Sequence, residues 1–260
     1  MKEVLLEIIK EAGLHIKDKF YTDFEVSSKE GINNLVTEVD KSTEKLIRKR
    51  IEETYPEHAI LGEEYGGQET RQKGFVWIVD PIDGTVNYAQ RIPICCVSIG
   101  IMLDGIMKYG AVYNPMMDEL FYAEKDKGAF LNGKRIKVSE PRPFKRSCLV
   151  TGFPYKHPQK VDIIAIFSKI AAMGVPIRRL GSAALDLCWL ACGRFDGFWE
   201  FGLNPWDVAA GYLIVKEAGG KVSGFQHENM DVFSKETLAS NGHIHQELKE
   251  IINNFINEQK

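Results

Sequence analysis

The sequence predicts a mixed α+β and α/β chain, with an antiparallel sheet in an α+β section over residues 1–146 and a mixed sheet in an α/β section over residues 147–260. Three observations predict it. Helix-period apolar spacing opens the chain, strand patterns with tight turns fill its middle, and strand and helix patterns alternate from about residue 147. No internal repeat, low-complexity tract or Pro/Ser-rich linker separates the two sections, so they are expected to be subdomains of one continuous unit.

Each element follows from a local pattern. In residues 1–20, Val4, Leu5, Ile8, Ile9, Ala12, Ile16 and Phe20 recur at three- and four-residue steps, as on an amphipathic helix. Gly31 and two asparagines in "EGINNLV" break this pattern and predict a flexible loop. A second helix is expected from about Asp40 through Leu46, Ile47 and Ile51 to a stop before Pro56, because the residue preceding proline is pushed out of helical dihedrals. "HAILGEE" and "FVWIVD" read as short strands that end in acids, with "YGGQETRQKG" between them as a surface loop. "CVSIGIML", "IMKYGAVYNP", "ELFYAE" and "GAFLNGKRIKV" then predict an antiparallel meander, with Asn132-Gly133 as a hairpin turn. The second section reads as strand "CLVTGF", a helix near 158–173, strand "IRRL", helix "SAALDLCWLACG", strand "RFDGFWEF", helix "WDVAAGYLIVKEAGG", short strands and a closing helix from about residue 243.

Composition excludes several classes of function. With 44% hydrophobic residues among 260, the chain can fill a sizeable core. A formal charge of −3 offers no general basic field for nucleic acid, and the best basic cluster, "RPFKR", is short and reads as a solvated loop. No apolar run approaches the roughly 20 residues that span a bilayer, and the opening "MKEVLLEIIKEAG" carries charges unlike a signal peptide. A cytoplasmic protein without membrane or nucleic-acid partners is therefore expected. Five cysteines without a C-x-x-C pair argue against a disulfide framework or thiolate zinc site, and the six scattered histidines lack the spacing of a zinc protease.

The acids are what demand explanation. Glu63 and Glu64 close one predicted strand, Asp80 closes the next, Asp83 stands in the following turn, and Asp207 opens a later helix. An Asp-Gly turn explains Asp83 and Gly84, but not Asp80. A carboxylate at the end of a buried strand neutralises or pairs with a cation, and no Lys or Arg lies within "DPIDGT". Mg²⁺ fits such a set, because it prefers oxygen ligands and is usually held by carboxylates together with substrate phosphate. The D-x-x-D spacing can aim Asp80, Asp83 and the Ile82 carbonyl at one volume, and the amides of Gly84 and Thr85, if they open a helix, supply an anion site beside it.

"WIVDPIDGTVNYA", preceded by "GEE" and followed by "WDVAAGYLIVKEAGG", resembles the inositol monophosphatase family of Mg²⁺-dependent, lithium-sensitive sugar phosphatases. "LVTEVD", "GAFLNGKRI" and "LGSAALDL" extend the resemblance almost end to end, with Ala89-Gln90 a departure beyond the acids. The resemblance implies a layered α-β-α-β-α sugar phosphatase architecture and commonly a homodimer. It implies that Glu63, Asp80 and the Ile82 carbonyl hold a first metal, that Asp80, Asp83 and Asp207 share a second, and that a third, weakly held ion lies near Glu63. By the same resemblance, Thr85 oriented by Asp40 positions the attacking water, together with Glu63, and Gly84 and Thr85 bind phosphate. Asp83, Gly181, Ser182, Ala183 and Glu200 contact substrate, and Lys29 belongs to a loop closing over the metals. Two cations about 3.5–4 Å apart activate water and stabilise the leaving alkoxide in an in-line displacement. The implied activity is release of phosphate from inositol monophosphate, with fructose 1,6-bisphosphate and nucleoside bisphosphates as alternatives.

Each residue also has a plainer reading. Glu64 can form a surface ion pair, Asp207 can cap its helix, Glu200 can be an exposed strand end, and Lys29 can be a solvated charge. Arg178 and Arg179 are candidates for a second phosphate, but neighbours on a strand face opposite ways, so at most one is expected to enter the site. A regulatory binding module that kept the fold is the non-catalytic alternative.

Overall fold

The structure is a computed structural model, and it describes residues 1–29, 34–67, 73–154 and 162–258. The Gly31 break, the middle of the "YGGQETRQKG" loop and the first residues of the helix expected near 158 lie outside the described residues.

Helix α1 (Lys2–Phe20) buries the expected stripe from Leu5 to Phe20. The stretch expected to be loop contains a small antiparallel pair, β1 (Val26–Ser28) and β2 (Leu35–Thr37), in register Val26↔Thr37. Helix α2 (Glu38–Thr54) starts two residues before the expected Asp40, because Thr37 is its N-cap. The Thr37 hydroxyl accepts from Val39 and Asp40 amides, and Asp40 Oδ2 accepts the Thr37 N–H at 2.8 Å, a reciprocal arrangement that satisfies orphan donors.

Strand β3 (Ala59–Gly62) runs parallel to β4 (Phe75–Asp83), so both deliver their C-terminal acids at the same edge. β4 extends through Asp83, with a register shift between Asp80 and Asp83 where a turn was expected. A five-residue helix, α3 (Thr85–Ala89), follows. The meander is β5 (Cys96–Leu103), β6 (Ile106–Asn114), β7 (Glu119–Glu124), β8 (Gly128–Leu131) and β9 (Lys134–Ile136), all antiparallel neighbours. Asn132 and Gly133, at φ 48° and 77°, make its last tight turn.

Next come β10 (Leu149–Thr151), α4 (Ile163–Ala172), β11 (Ile177–Arg178), α5 (Ala183–Ala191), β12 (Gly197–Phe201), α6 (Pro205–Glu217), β13 (Lys221–Ser223), β14 (Glu236–Ser240) and α7 (His245–Glu258). The second sheet, in order β11-β10-β12-β14-β13, is parallel between β11, β10 and β12 and antiparallel around β14.

Side-chain alternation builds the layers. From β4, Trp77 and Val79 pack with α1 and α2, while Val76 and Ile78 pack with α5 and α6. From the second sheet, Val150, Phe198 and Ala239 join that α5–α6 layer, while Leu149, Trp199 and Leu238 pack against α4 and α7. The result is a five-layer α-β-α-β-α arrangement. Its central helix α5 is buried along its whole length, as an element between two sheets must be. Among the described residues no helix is long and apolar enough to cross a membrane.

Candidate active site

The parallel pairing of β3 and β4 puts Gly62 beside Val79, and the Glu63 N–H bonds the Val79 carbonyl at 3.2 Å. Glu63 therefore leaves its strand next to Asp80. Asp80 and Asp83 are 1% and 8% exposed, and oxygens of Asp80, Asp83 and Asp207 all lie within 4.8 Å of one another.

Each carboxylate of this trio is anchored. Asp80 Oδ1 accepts the Ile82 N–H at 3.0 Å. Asp83 Oδ2 accepts from the Ser182 hydroxyl at 2.5 Å and the Ala184 N–H at 2.8 Å. Asp207 Oδ2 accepts the Asn204 N–H at 2.6 Å, so it closes the first turn of α6 from the third helical position, with Asn204 as the N-cap. The capping role and the site role coexist in one side chain.

Burial pushes all three carboxyls above the ordinary range, and the charge of Glu63 raises each further. For Asp83 the donors Ser182 and Ala184 work the other way. Glu63 itself stands beside the trio, where Lys29 Nζ meets its Oε1 at 2.8 Å and also bonds Glu64. Burial pulls the Lys29 ammonium down, but the two carboxylates outweigh it and hold it charged. Glu64 differs from the surface ion pair of its plainer reading. Its side chain is 3% exposed, and burial raises it to about 7.

Thr85 Oγ1 lies 2.9 Å from Asp40 Oδ1 and 3.0 Å from the Ile82 carbonyl. Asp40 is fully buried and pushed up to about 6 by that burial, against the lowering effect of the Thr37 and Thr85 hydrogen bonds. Gly84, at φ 91°, turns the chain into α3 in a conformation that favours glycine. A Cβ there would stand 2.9 Å from the Ile94 carbonyl.

A cavity of about 540 Å³ opens over these groups. Gly181, Ser182, Ala183 and Glu200 line it together with Lys29, Glu63, Asp80, Ile82, Asp83, Gly84, Thr85 and Asp207. Only Asp40 of the expected site residues stands behind the wall, reaching the cavity through Thr85. Glu200 is not a strand end. It lies inside β12 opposite Thr237, 8% exposed, and burial with the charges of Asp207 and Asp83 raises it to about 8. Its carboxylate packs so tightly on Gly152 that a Cβ there would fall 2.2 Å from Glu200 Oε1.

Of the two candidate arginines, Arg179 lines the cavity and Arg178 does not, as expected of neighbours that face opposite ways. Sequence reasoning missed two charged lining residues, Asp186 and Lys235. Asp186 is 1% exposed, its Oδ1 has no hydrogen-bond partner among the described residues, and a lone acid within an apolar helix was the signal available for it. Lys235, whose Nζ bonds Asn204 Oδ1 at 2.7 Å, carried no sequence signal.

Six carboxylates therefore face three cationic side chains around one cavity. Such an excess of buried negative charge favours proton uptake or a cation. An all-oxygen set in which two buried acids and a half-buried third converge suits a hard divalent ion such as Mg²⁺.

Comparison with known proteins agrees with this geometry. The inositol monophosphatase family profile matches residues 1–259. The inositol-1-monophosphatase of Synechocystis sp. is 42% identical over 251 residues, covering 96% of this chain and 88% of that protein. The Nus factor SuhB of Escherichia coli K12 is 41% identical over 243 residues, covering 93% of this chain and 91% of its own. The solved structure of a Thermotoga maritima IMPase superposes with a TM-score of 0.89 at 33% identity, over all of both chains. With its profile matched almost end to end and its five layers shared with a solved member, the chain belongs to the inositol monophosphatase family.

Proposed function

We propose that the protein is a Mg²⁺-dependent phosphomonoesterase that hydrolyses inositol monophosphate to inositol and phosphate. The observation that carries this reading is the convergence of Asp80, Asp83 and Asp207 within 4.8 Å in a largely buried, oxygen-only cluster. These acids, the Ile82 carbonyl and Glu63 are the residues that would hold two or three ions. Bound there, Mg²⁺ supplies positive charge that stabilises phosphoryl oxygens and activates water for in-line displacement.

The chain's own groups do the rest. Thr85, held by Asp40, offers its hydroxyl oxygen to orient a water together with Glu63, which lines the same cavity. The amides of Gly84 and Thr85 face the phosphate. Glu200 and the Gly181–Ala183 segment face the leaving group, where a carboxylate recognises hydroxyl donors. Lys29 bridges Glu63 and Glu64 from the β1 side and closes that edge. Both sections contribute, with the 1–146 part supplying the main acid motif and the 147–260 part completing the site.

One observation favours a second substrate. Arg179 lines the cavity without a carboxylate within ion-pair distance among the described residues, which suits the distant phosphate of fructose 1,6-bisphosphate. A regulatory binding role of the kind the SuhB relatives' name denotes stands behind both, because the convergence of Asp80, Asp83 and Asp207 supports a working metal site.

The test is phosphate release over a panel of inositol, sugar and nucleotide phosphates, with and without Mg²⁺. Mg²⁺-dependent turnover greatest on inositol monophosphate is expected. Metal-independent release, or none on any monoester, overturns the reading. The same proposal includes a cytoplasmic homodimer, which sedimentation and cell fractionation address.

A further inference from the structure

We infer that Glu44 is a positioning residue that sets the direction of Glu63 for cation binding, one of two arms by which α2 grips the site. The assignment rests on the metal-site reading above. Glu44 is fully buried and accepts three hydrogen bonds. Its Oε2 takes the Glu64 N–H at 2.6 Å, and its Oε1 takes the Tyr65 N–H at 3.2 Å and Arg48 Nε at 2.7 Å. Both amides belong to the turn that leaves β3 carrying Glu63. Arg48, one helical turn further along, bonds the Gly66 carbonyl, and that carbonyl also accepts the Gly62 N–H at 3.0 Å. With the Glu63 N–H on Val79, the backbone around Glu63 is held from the helix on one side and from the sheet on the other.

The second arm is Asp40, four residues earlier on the same face of α2, which holds Thr85 through Oδ1. One helical face thus spaces the Glu63 turn from the Thr85 turn. Close approach confirms how tightly this is built, since a Cβ on Gly62 would lie 2.0 Å from Glu44 Oε1. Stability alone does not require such a pair, because apolar side chains of similar volume often replace a buried ion pair without loss. Orientation of a ligand-bearing turn does require it, and groups that orient metal ligands typically alter affinity about 10–100-fold when changed.

Glu44→Gln keeps size and shape, but its amide nitrogen must face an N–H at one of the two oxygen positions, so a donor of the turn loses its acceptor. Mg²⁺ is titrated calorimetrically into metal-stripped protein whose fold is checked by circular dichroism, and phosphate release is measured against Mg²⁺ concentration. The expected result is a Kd for Mg²⁺ raised about 10–100-fold, with kcat recovering at saturating Mg²⁺. Gly62→Ala, which displaces the same carboxylate from the strand side, is expected to give the same split and decides the question if Glu44→Gln does not fold. Unchanged Mg²⁺ affinity in the folded variants overturns the role of Glu44 while leaving the metal site standing. No Mg²⁺ uptake by the unaltered chain overturns both.

Discussion

Asp80 is a nearly buried carboxylate whose neighbours are mostly other acids, and its cost is tolerable in the folded chain as a protonated group or beside a cation. Asp80→Asn keeps the acceptor for the Ile82 N–H and removes the charge. We expect Mg²⁺-dependent phosphate release to fall more than about 100-fold, beyond what loss of an outer ligand costs, with the thermal midpoint kept. Wild-type turnover in that variant contradicts the site. Glu200 offers a second residue-scale test, because the proposed function has it contact the leaving group and it anchors none of the acid trio. Glu200→Gln is expected to lower kcat/KM for inositol monophosphate about 10–100-fold while sparing an aryl phosphate, and equal loss on both removes it from hydroxyl recognition. The acids of "GEE" and "DPIDGT" were legible because charge at the end of an apolar strand violates the pattern around it. Glu44 was not, since a Glu among helical Lys, Arg and Glu residues carries no such contrast, and Asp186 stood out too weakly against its apolar helix.

At the scale of elements, the site depends on how closely α6 approaches the first sheet. Gly100 and Gly110 face each other across β5 and β6, and a Cβ on Gly110 would lie 2.7 Å from the Ala210 carbonyl, while one on Gly100 would lie 2.8 Å from Ala209 Cβ. These glycines let α6, which carries Asp207 in its first turn, lie directly on the sheet whose strand β4 carries Asp80. Gly110→Ala is expected to destabilise the protein by about 1–3 kcal/mol through overpacking, read as a lower urea midpoint at constant slope. A neutral result shows that the layer relaxes. Helix α1, the antiparallel meander and the Asn132-Gly133 turn all follow from local periodicity and turn chemistry. The extension of β4 through Asp83, the early start of α2 and the β1–β2 pair do not, because each is decided by partners distant in sequence or by a cap of one residue.

Across the whole molecule, the raised carboxyls tie stability to pH. Glu200 titrates near 8 and Asp40 near 6 in the folded chain, because burial disfavours their charged forms, against ordinary values of 4.5 and 3.8. Between those limits the folded state binds more protons than the unfolded one, so their contribution is fully present below about pH 4 and is lost as pH rises toward 8. In EDTA, the thermal midpoint is expected to fall by several degrees between pH 5 and pH 8, and Mg²⁺ is expected to restore more of it at pH 8 than at pH 5. A midpoint that rises across that window without metal, or Mg²⁺ stabilisation independent of pH, contradicts a cation site built from these acids.

By itself the sequence determined the element types, the apolar faces and the conspicuous acids, since periodicity and strand-end charge are properties of neighbours along the chain. Only the tertiary structure decided which carboxylates meet, that Arg179 and not Arg178 enters the cavity, and that one face of α2 holds two turns separated by some twenty residues. The reason is that hydrogen bonding and burial act through space, where parallel pairing of β3 with β4 and the close seat of α6 bring remote residues within a few ångströms.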